Sequence, residues 1–405
     1  MIEGESILCF APEPWAHIWR NRHQIMSRLA RRNKVLFVEP RPYLRNVIRD
    51  GRAGKLSWAD LTVPAVTQIQ DGLWSYRTPL YAPLSGRYPL SLILRWLREA
   101  HLKATMRRLG LGRPILWLYR PHMADAVGRL DEKLVIYHIV DKYAAYEAEF
   151  EHVYDRARRS SVEQAEEALL RAVDLVIVTS DSLLEEKRRH NLNTHWVSNA
   201  VDYEAFSRAA LSPVPPEDAA ALTRPIIGYV GAINEKLDYD LLREVAVAYP
   251  ACSLMMVGPV DLRLDFSGMD KLRLPNVHLL GAKPVADVAR YVAACQVCLM
   301  PYKLNEWTAH INPLKLYEYL ATGRAVVSTA IPAVAGFANG GCMRRLVRVA
   351  ADGAAFVRLV GEALAERDEG LPRQRMALAA QNTWDARVEQ LSGLIQATLA
   401  SKHDA

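Results

Sequence analysis

The 405-residue chain carries 51 Lys and Arg against 45 Asp and Glu, with 50% hydrophobic and 24% charged residues. That balance belongs to a globular protein and excludes a disordered or fibrous one, and the length calls for two domains rather than one core. Five thinly spread cysteines, an odd number, speak against a disulfide framework and for a reducing compartment.

Short apolar runs alternate with amphipathic stretches, the pattern of parallel sheets covered by helices, so the expected fold class is α/β. In the first half the runs predict strands at Ser6–Phe10, Val35–Val38, Ile115–Leu118, Leu134–His138 and Leu175–Thr179. Helices are expected at Arg22–Arg31, where Ile25, Met26 and Leu29 share a face, and at Ser161–Ala172. Between the first strand and the first helix lies Trp15-Ala-His-Ile-Trp-Arg-Asn-Arg-His-Gln24. Its indoles suit stacking on sugars and its guanidiniums suit phosphates, so Trp15, Arg20 and Arg22 are candidate acceptor contacts. His23 is a candidate base or acceptor-phosphate contact, set against a structural role at the helix start.

Residues 1–110 hold 18 Lys and Arg against 8 Asp and Glu. This surplus fits an anionic membrane surface, a pyrophosphate-linked lipid or a solvated basic face. Nucleic acid is set aside because no reader motif accompanies the charge. Within it, Arg87–Arg108 mixes Tyr88, Leu92, Ile93 and Trp96 with arginines, as in a basic amphipathic helix lying on a membrane or packed on the sheet. Asp141 falls just past the strand Leu134–His138, where a carboxylate can act as a base, cap a helix or pair with Lys142.

Ser212-Pro-Val-Pro-Pro216 interrupts both ladder types, and the domain boundary is expected there. The alternation then restarts with Pro225–Gly231, helix Tyr239–Ala248, and strands Ser253–Val257 and Val277–Leu280. Helix Val285–Ala294, strand Val297–Met300, helix Pro313–Ala321 and strand Ala325–Thr329 follow. Cys295-x-x-Cys298 lacks a second ligand pair and reads as two buried apolar residues. No run of about 18 apolar residues and no signal-like N-terminus is present, which predicts a cytoplasmic chain.

The most informative segment is Asn312-Pro-Leu-Lys-Leu-Tyr-Glu-Tyr-Leu-Ala-Thr-Gly323. Pro313 suits a first helical turn, Asn312 an N-cap, and the helix start an anion. Lys315 and Glu318 share a face, where the ammonium can meet a phosphate and the carboxylate can accept from sugar hydroxyls. The same spacing also fits an amphipathic helix with a surface ion pair.

This segment, with Arg324-Ala-Val-Val-Ser-Thr329 after it, resembles the signature of the group 1 glycosyltransferases. Ser198-Asn-Ala-Val-Asp202 with Phe206, Gly228-Tyr-Val-Gly231, Val257-Gly-Pro259, Leu280-Gly-Ala-Lys283 and Thr383-Trp384 resemble further motifs of that family, in order. The resemblance is strongest to the branch that builds bacterial surface polysaccharides. It implies the GT-B fold, two Rossmann-like parallel-sheet domains facing across a cleft. The implied division is an acceptor domain at 1–205, a linker at 206–224, a donor domain at 225–380 and a closing helix at 381–405 that crosses back.

It further implies a nucleoside diphosphate sugar donor, a UDP-sugar, held by Gly231, Lys236, Gly258, Lys283, Asn312, Pro313, Lys315 and Glu318. The implied acceptor is a lipid-linked glycan or polysaccharide. No metal or other cofactor is expected, since the resemblance implies a family that holds its donor without one. Asp141 resembles the catalytic aspartate of an inverting glucuronosyltransferase of the same fold. Two positions depart from the pattern: His310 stands where retaining members carry a first glutamate, and Ala232 where they carry an arginine. Both stereochemical outcomes therefore stay open. A nucleotide-sugar epimerase and a non-catalytic nucleotide- or glycan-binding scaffold are the competing functions on the same fold.

Overall fold

The computed structural model describes residues 1–56, 65–142, 156–262, 267–338 and 345–403, so Cys342 lies outside the described residues. Two sheets follow one another along the chain. The first comprises β1 (Ser6–Phe10), β2 (Lys34–Val38), β3 (Val66–Gln70), β4 (Leu73–Tyr76), β5 (Ile115–Leu118), β6 (Leu134–Ile139), β7 (Leu175–Val178) and β8 (Thr194–Trp196). Their spatial order is β3-β4-β2-β1-β5-β6-β7-β8, with only β3 antiparallel to its neighbour. The second comprises β9 (Ile226–Val230), β10 (Ser253–Val257), β11 (Val277–Gly281), β12 (Val297–Met300), β13 (Ala325–Thr329) and β14 (Val347–Ala350). It is parallel throughout, in the order β11-β10-β9-β12-β13-β14.

Between the strands of the first sheet run α1 (Asn21–Leu29), α2 (Leu44–Arg52), α3 (Leu90–Arg108), α4 (Arg156–Ala172) and α5 (Asp181–Lys187). The passage to the second sheet holds α6 (Tyr203–Leu211) and α7 (Glu217–Ala220). The second sheet is covered by α8 (Tyr239–Ala248), α9 (Ser267–Lys271), α10 (Val285–Ala294), α11 (Leu314–Ala321), α12 (Pro332–Ala338), α13 (Gly353–Leu364) and α14 (Gly370–Ala380), and α15 (Trp384–His403) closes the chain.

Helices on both faces of a sheet bury every position of its central strands, which is why β1, β9 and β13 are apolar almost throughout instead of alternating. One face of the first sheet packs Ile7, Val35, Phe37 and Ile136 beneath α1 and α15. The stripe Trp384, Val388, Leu391 and Ile395 on α15, spaced by four, three and four residues, fills that layer. The other face packs Leu8, Leu36 and Val135 against Leu102 and Met106 of α3 and Leu169 of α4. The second sheet has its own core, and Gly228 lets β9 approach Cys295, since a Cβ there would overlap its sulfur. Cys9, Cys252, Cys295 and Cys298 are free and buried.

Much of the proline-bearing passage is packed. Asp202 caps α6 by accepting from the Ala205 N–H at 3.4 Å, and Phe206 and Ala219 are buried in the core of the second sheet. Residues 212–216 and 221–225 run without regular structure there.

Candidate functional site

In each sheet the strand order reverses direction beside one strand, β1 in the first and β9 in the second. Loops leaving the carboxyl ends at such reversals diverge and leave a crevice, the place where open α/β sheets take ligands. The loop after β9 carries Gly231 and Lys236; the loop after β1 carries Trp15 and Arg20.

Gly231 has φ +146° and Gly258, at the end of β10, has φ +145°. A Cβ on Gly231 would overlap the end of the Lys315 side chain, and one on Gly258 would overlap the Gly231 carbonyl. These glycines thus let two strand ends stack and let an ammonium lie directly over the β9 turn. Helix α11 is fixed there by Tyr319, whose hydroxyl accepts from the Val230 N–H at 3.0 Å and lies 3.3 Å from the Val230 carbonyl.

Lys315 Nζ sits 5.1 Å from the centre of the Tyr229 ring. It lies deep in the cleft wall with only partial solvent access, and this burial lowers its pKa from 10.5 to about 8, with the positive charges of Lys236 and Arg20 acting in the same direction. Glu318 beside it is pushed upward by burial, a shift that the Lys315 charge opposes. Lys236 Nζ lies 4.4 Å from the Trp307 ring centre and 3.9 Å from Asp141 Oδ1, which arrives from the end of β6. Tyr302, just past β12, feels the charges of both Glu318 and Asp141. Arg20, Asp141, Lys236, Lys315 and Glu318 therefore surround one space between the sheets.

Asn312 has a different local role from the one expected. The N-cap of α11 is Pro313, at φ −71° and ψ 125°, and no side chain caps that end. The Asn312 carboxamide instead donates to the Thr179 carbonyl at 2.8 Å, and Asn199 donates to the Asn312 carbonyl at 2.5 Å. Asn312 thus ties the start of α11 to the first sheet. Nearby, His310 Nδ1 is 2.9 Å from the Ser182 hydroxyl, and Lys142 bridges Glu186 at 3.3 Å and Glu306 at 3.4 Å.

Four other expected contacts are engaged elsewhere. His23 is fully buried, with Nδ1 accepting from the Arg20 N–H at 3.0 Å and Nε2 3.2 Å from the Trp15 carbonyl. Burial foremost, then Arg22, lowers its pKa from 6.5 to about 3, so the ring is a neutral structural brace rather than a base. Trp15 packs against Trp19, His23 and Phe37 in the core and offers no open face to a sugar. Arg22 is buried in an ion pair with Glu13, which Arg20 also meets, at 3.1 Å. Lys283 pairs with Asp218 of α7 at 2.6 Å and lies 5.5 Å from the Tyr291 ring centre.

Tyr302, Trp307 and Glu306 were not read from the sequence. Tyr302 follows a strand end and could have been found by that rule; the others are gathered by loop geometry alone. Among the described residues no three His, Cys, Asp or Glu side chains form a metal-binding group, and no helix is long and apolar enough to cross a membrane.

Residues 224–366 match the family model described as glycosyl transferases group 1. Over 264 residues the chain is 31% identical to TuaH of Bacillus subtilis (strain 168), a protein named as a glycosyltransferase of teichuronic acid biosynthesis. That match covers 64% of this chain and 64% of TuaH. Sucrose-phosphate synthase from Thermosynechococcus elongatus superposes with a TM-score of 0.67 at 18% identity, over 98% of this chain and all of that one. Anabaena Alr3699/HepE, solved with UDP and glucose, superposes with a TM-score of 0.63 at 13% identity, over 97% of this chain and all of that one. These likenesses extend across both sheets and show the GT-B fold.

Proposed function

We propose that the chain transfers a sugar from a UDP-sugar to a lipid-linked or polysaccharide acceptor, as its match to the group 1 glycosyltransferase model over residues 224–366 and its GT-B fold support. The observation that carries this reading is the meeting of Arg20, Lys236 and Lys315 with Asp141, whose carboxylate lies 3.9 Å from Lys236 across the cleft. A departing nucleoside diphosphate gains negative charge as the glycosidic bond breaks. Cations already held in a partly dry cleft stabilise that charge without reorganising, so no metal is required in this scheme. Asp141 takes the proton of the acceptor hydroxyl as it attacks the anomeric carbon. Glu318, beside Lys315, offers carboxylate oxygens that accept from sugar or ribose hydroxyls.

The preference for uridine draws on the UDP complex of the structural neighbour, and the acceptor class on the teichuronic acid relative. Exposed Leu92, Ile93 and Trp96 on α3, beside Arg95, support attachment to the cytoplasmic face of an anionic membrane. Epimerisation is not favoured, as the sequence relative is named as a transferase.

Calorimetric titration with UDP, GDP and ADP, wild type beside Lys315→Ala, tests the reading. Micromolar UDP binding that the variant loses is the expected result; failure of all three nucleotides to bind overturns it. A non-catalytic scaffold would bind UDP yet keep its cellular role after Asp141→Asn, whereas the transferase would not.

A further inference from the structure

The first domain contains a cavity separate from the cluster around Lys315. It lies between the sheet and α3, and its volume of about 40 Å³ is room for roughly three waters, about the space of one phosphate group. Phe10, Val38 and Tyr76, the last residues of β1, β2 and β4, line it, so it opens at the same carboxyl ends of the sheet as the cleft.

Four guanidiniums stand on its wall, those of Arg41, Arg95, Arg98 and Arg129, against two carboxylates, Glu99 and Asp125. The carboxylates do not saturate them. Asp125 holds Arg41 at 2.8 Å, but Glu99 is shared at long range, 4.0 Å from Arg95 and 3.7 Å from Arg129. Arg98 is nearly buried, braced by its Nη1 donating to the Pro83 carbonyl at 2.6 Å, and its pKa is depressed by burial and by the neighbouring Arg41 and Arg95 charges. Like charges gathered on a cavity wall repel one another, and an anion placed between them relieves that cost. A guanidinium fork matches phosphate geometry, and several around one small cavity suit a tetrahedral oxyanion better than a flat carboxylate.

We infer that this arginine-lined cavity is a phosphate subsite, which takes the phosphate carried by the acceptor. The assignment of that phosphate to the acceptor rests on the transferase reading above; the recognition of phosphate rests on the cavity itself. The apolar part of the lining, Leu102, Ala126 and Leu130, accommodates the first carbons of an alkyl phosphate. The exposed Leu92, Ile93 and Trp96 lie on the same helix, α3, whose Arg95, Arg98, Glu99 and Leu102 line the cavity.

The test measures binding of the full-length protein to phosphatidylcholine vesicles carrying dodecyl phosphate, beside vesicles carrying an equal charge of oleate. Inorganic phosphate is titrated separately by calorimetry. Wild type should bind the dodecyl phosphate vesicles about tenfold more tightly than the oleate ones, and Arg41→Gln with Arg129→Gln should abolish that preference while leaving UDP affinity unchanged. Should the double variant fold poorly, Arg95→Gln alone, which gives up only the 4.0 Å contact with Glu99, should reduce the preference. Equal binding to both vesicles together with no phosphate binding overturns the subsite, as does a preference that survives the substitutions. Inorganic phosphate binding lost in the variant, without vesicle preference, upholds the subsite and assigns it to a soluble phosphate. If wild type shows the vesicle preference but binds no nucleotide, the transferase reading fails and the subsite stands.

Discussion

The pH dependence of nucleotide binding provides the sharpest test of the Lys315 site. Lowering the ammonium pKa from 10.5 to about 8 corresponds to about 3 kcal/mol held against its charged form in the empty cleft. A diphosphate placed beside it restores a partner, so binding selects the protonated lysine and takes up a proton once the pH approaches 8. The apparent association constant then falls as pH rises, by about tenfold between pH 7 and pH 9 for one group titrating near 8. The assay is calorimetric titration of UDP across that range in two buffers of different ionisation enthalpy, which reports proton uptake directly. Lys315→Arg should bind UDP with a flat profile, because guanidinium keeps its charge throughout. Lys315→Met should bind about ten- to a hundredfold more weakly at pH 7, again without slope. A flat wild-type profile, or the same slope in Lys315→Met, refutes the assignment of the diphosphate to this lysine.

Asp141→Asn should lower turnover by about a hundredfold or more while UDP affinity stays within a few-fold, measured by UDP release with a UDP-sugar and acceptor membranes. Below pH 6.5 the unfolded chain protonates His23 while the folded chain, with its pKa near 3, does not, so stability declines as pH falls through that window. Urea unfolding at pH 7 and 4.5 should show His23→Gln losing about 3 kcal/mol less than wild type over that step. Asn312→Ala removes the 2.8 Å bond to the Thr179 carbonyl and should cost about 1 kcal/mol in thermal unfolding, with weaker UDP binding as α11 loosens from the first sheet. Trp15→Ala should cost about 3 to 5 kcal/mol in urea unfolding, the signature of a core indole rather than a sugar platform.

The central strands were legible because strands buried on both faces must be continuously apolar: β1, β10 and β12 coincide with their expected bounds. The hairpin of β3 and β4 was not anticipated, since Gln68 and Gln70 on its exposed edge strand weaken any apolar signal. Helices α2 and α14 and the short strands β8 and β14 likewise carry too little periodic burial to stand out. Helix α11 was readable from Pro313 and Gly323, which punctuate its ends by their backbone chemistry.

Local chemistry thus determined the two parallel-sheet layers, the α11 segment and the side chains able to meet a phosphate. It could not decide which of those side chains face the cleft. Trp15, Arg22 and His23 have the chemistry of ligand contacts, yet packing against Phe37 and pairing with Glu13 turn them inward. Lys283 has the same charge as Lys315 but answers to Asp218, a residue distant in sequence that α7 brings beside it. Only the tertiary structure, by bringing β6 and β9 loops from separate sheets to face one another, sets Asp141 against Lys236 and makes one site of residues 95 positions apart. A side chain's partners depend on the packing of distant segments, which no local spacing rule encodes.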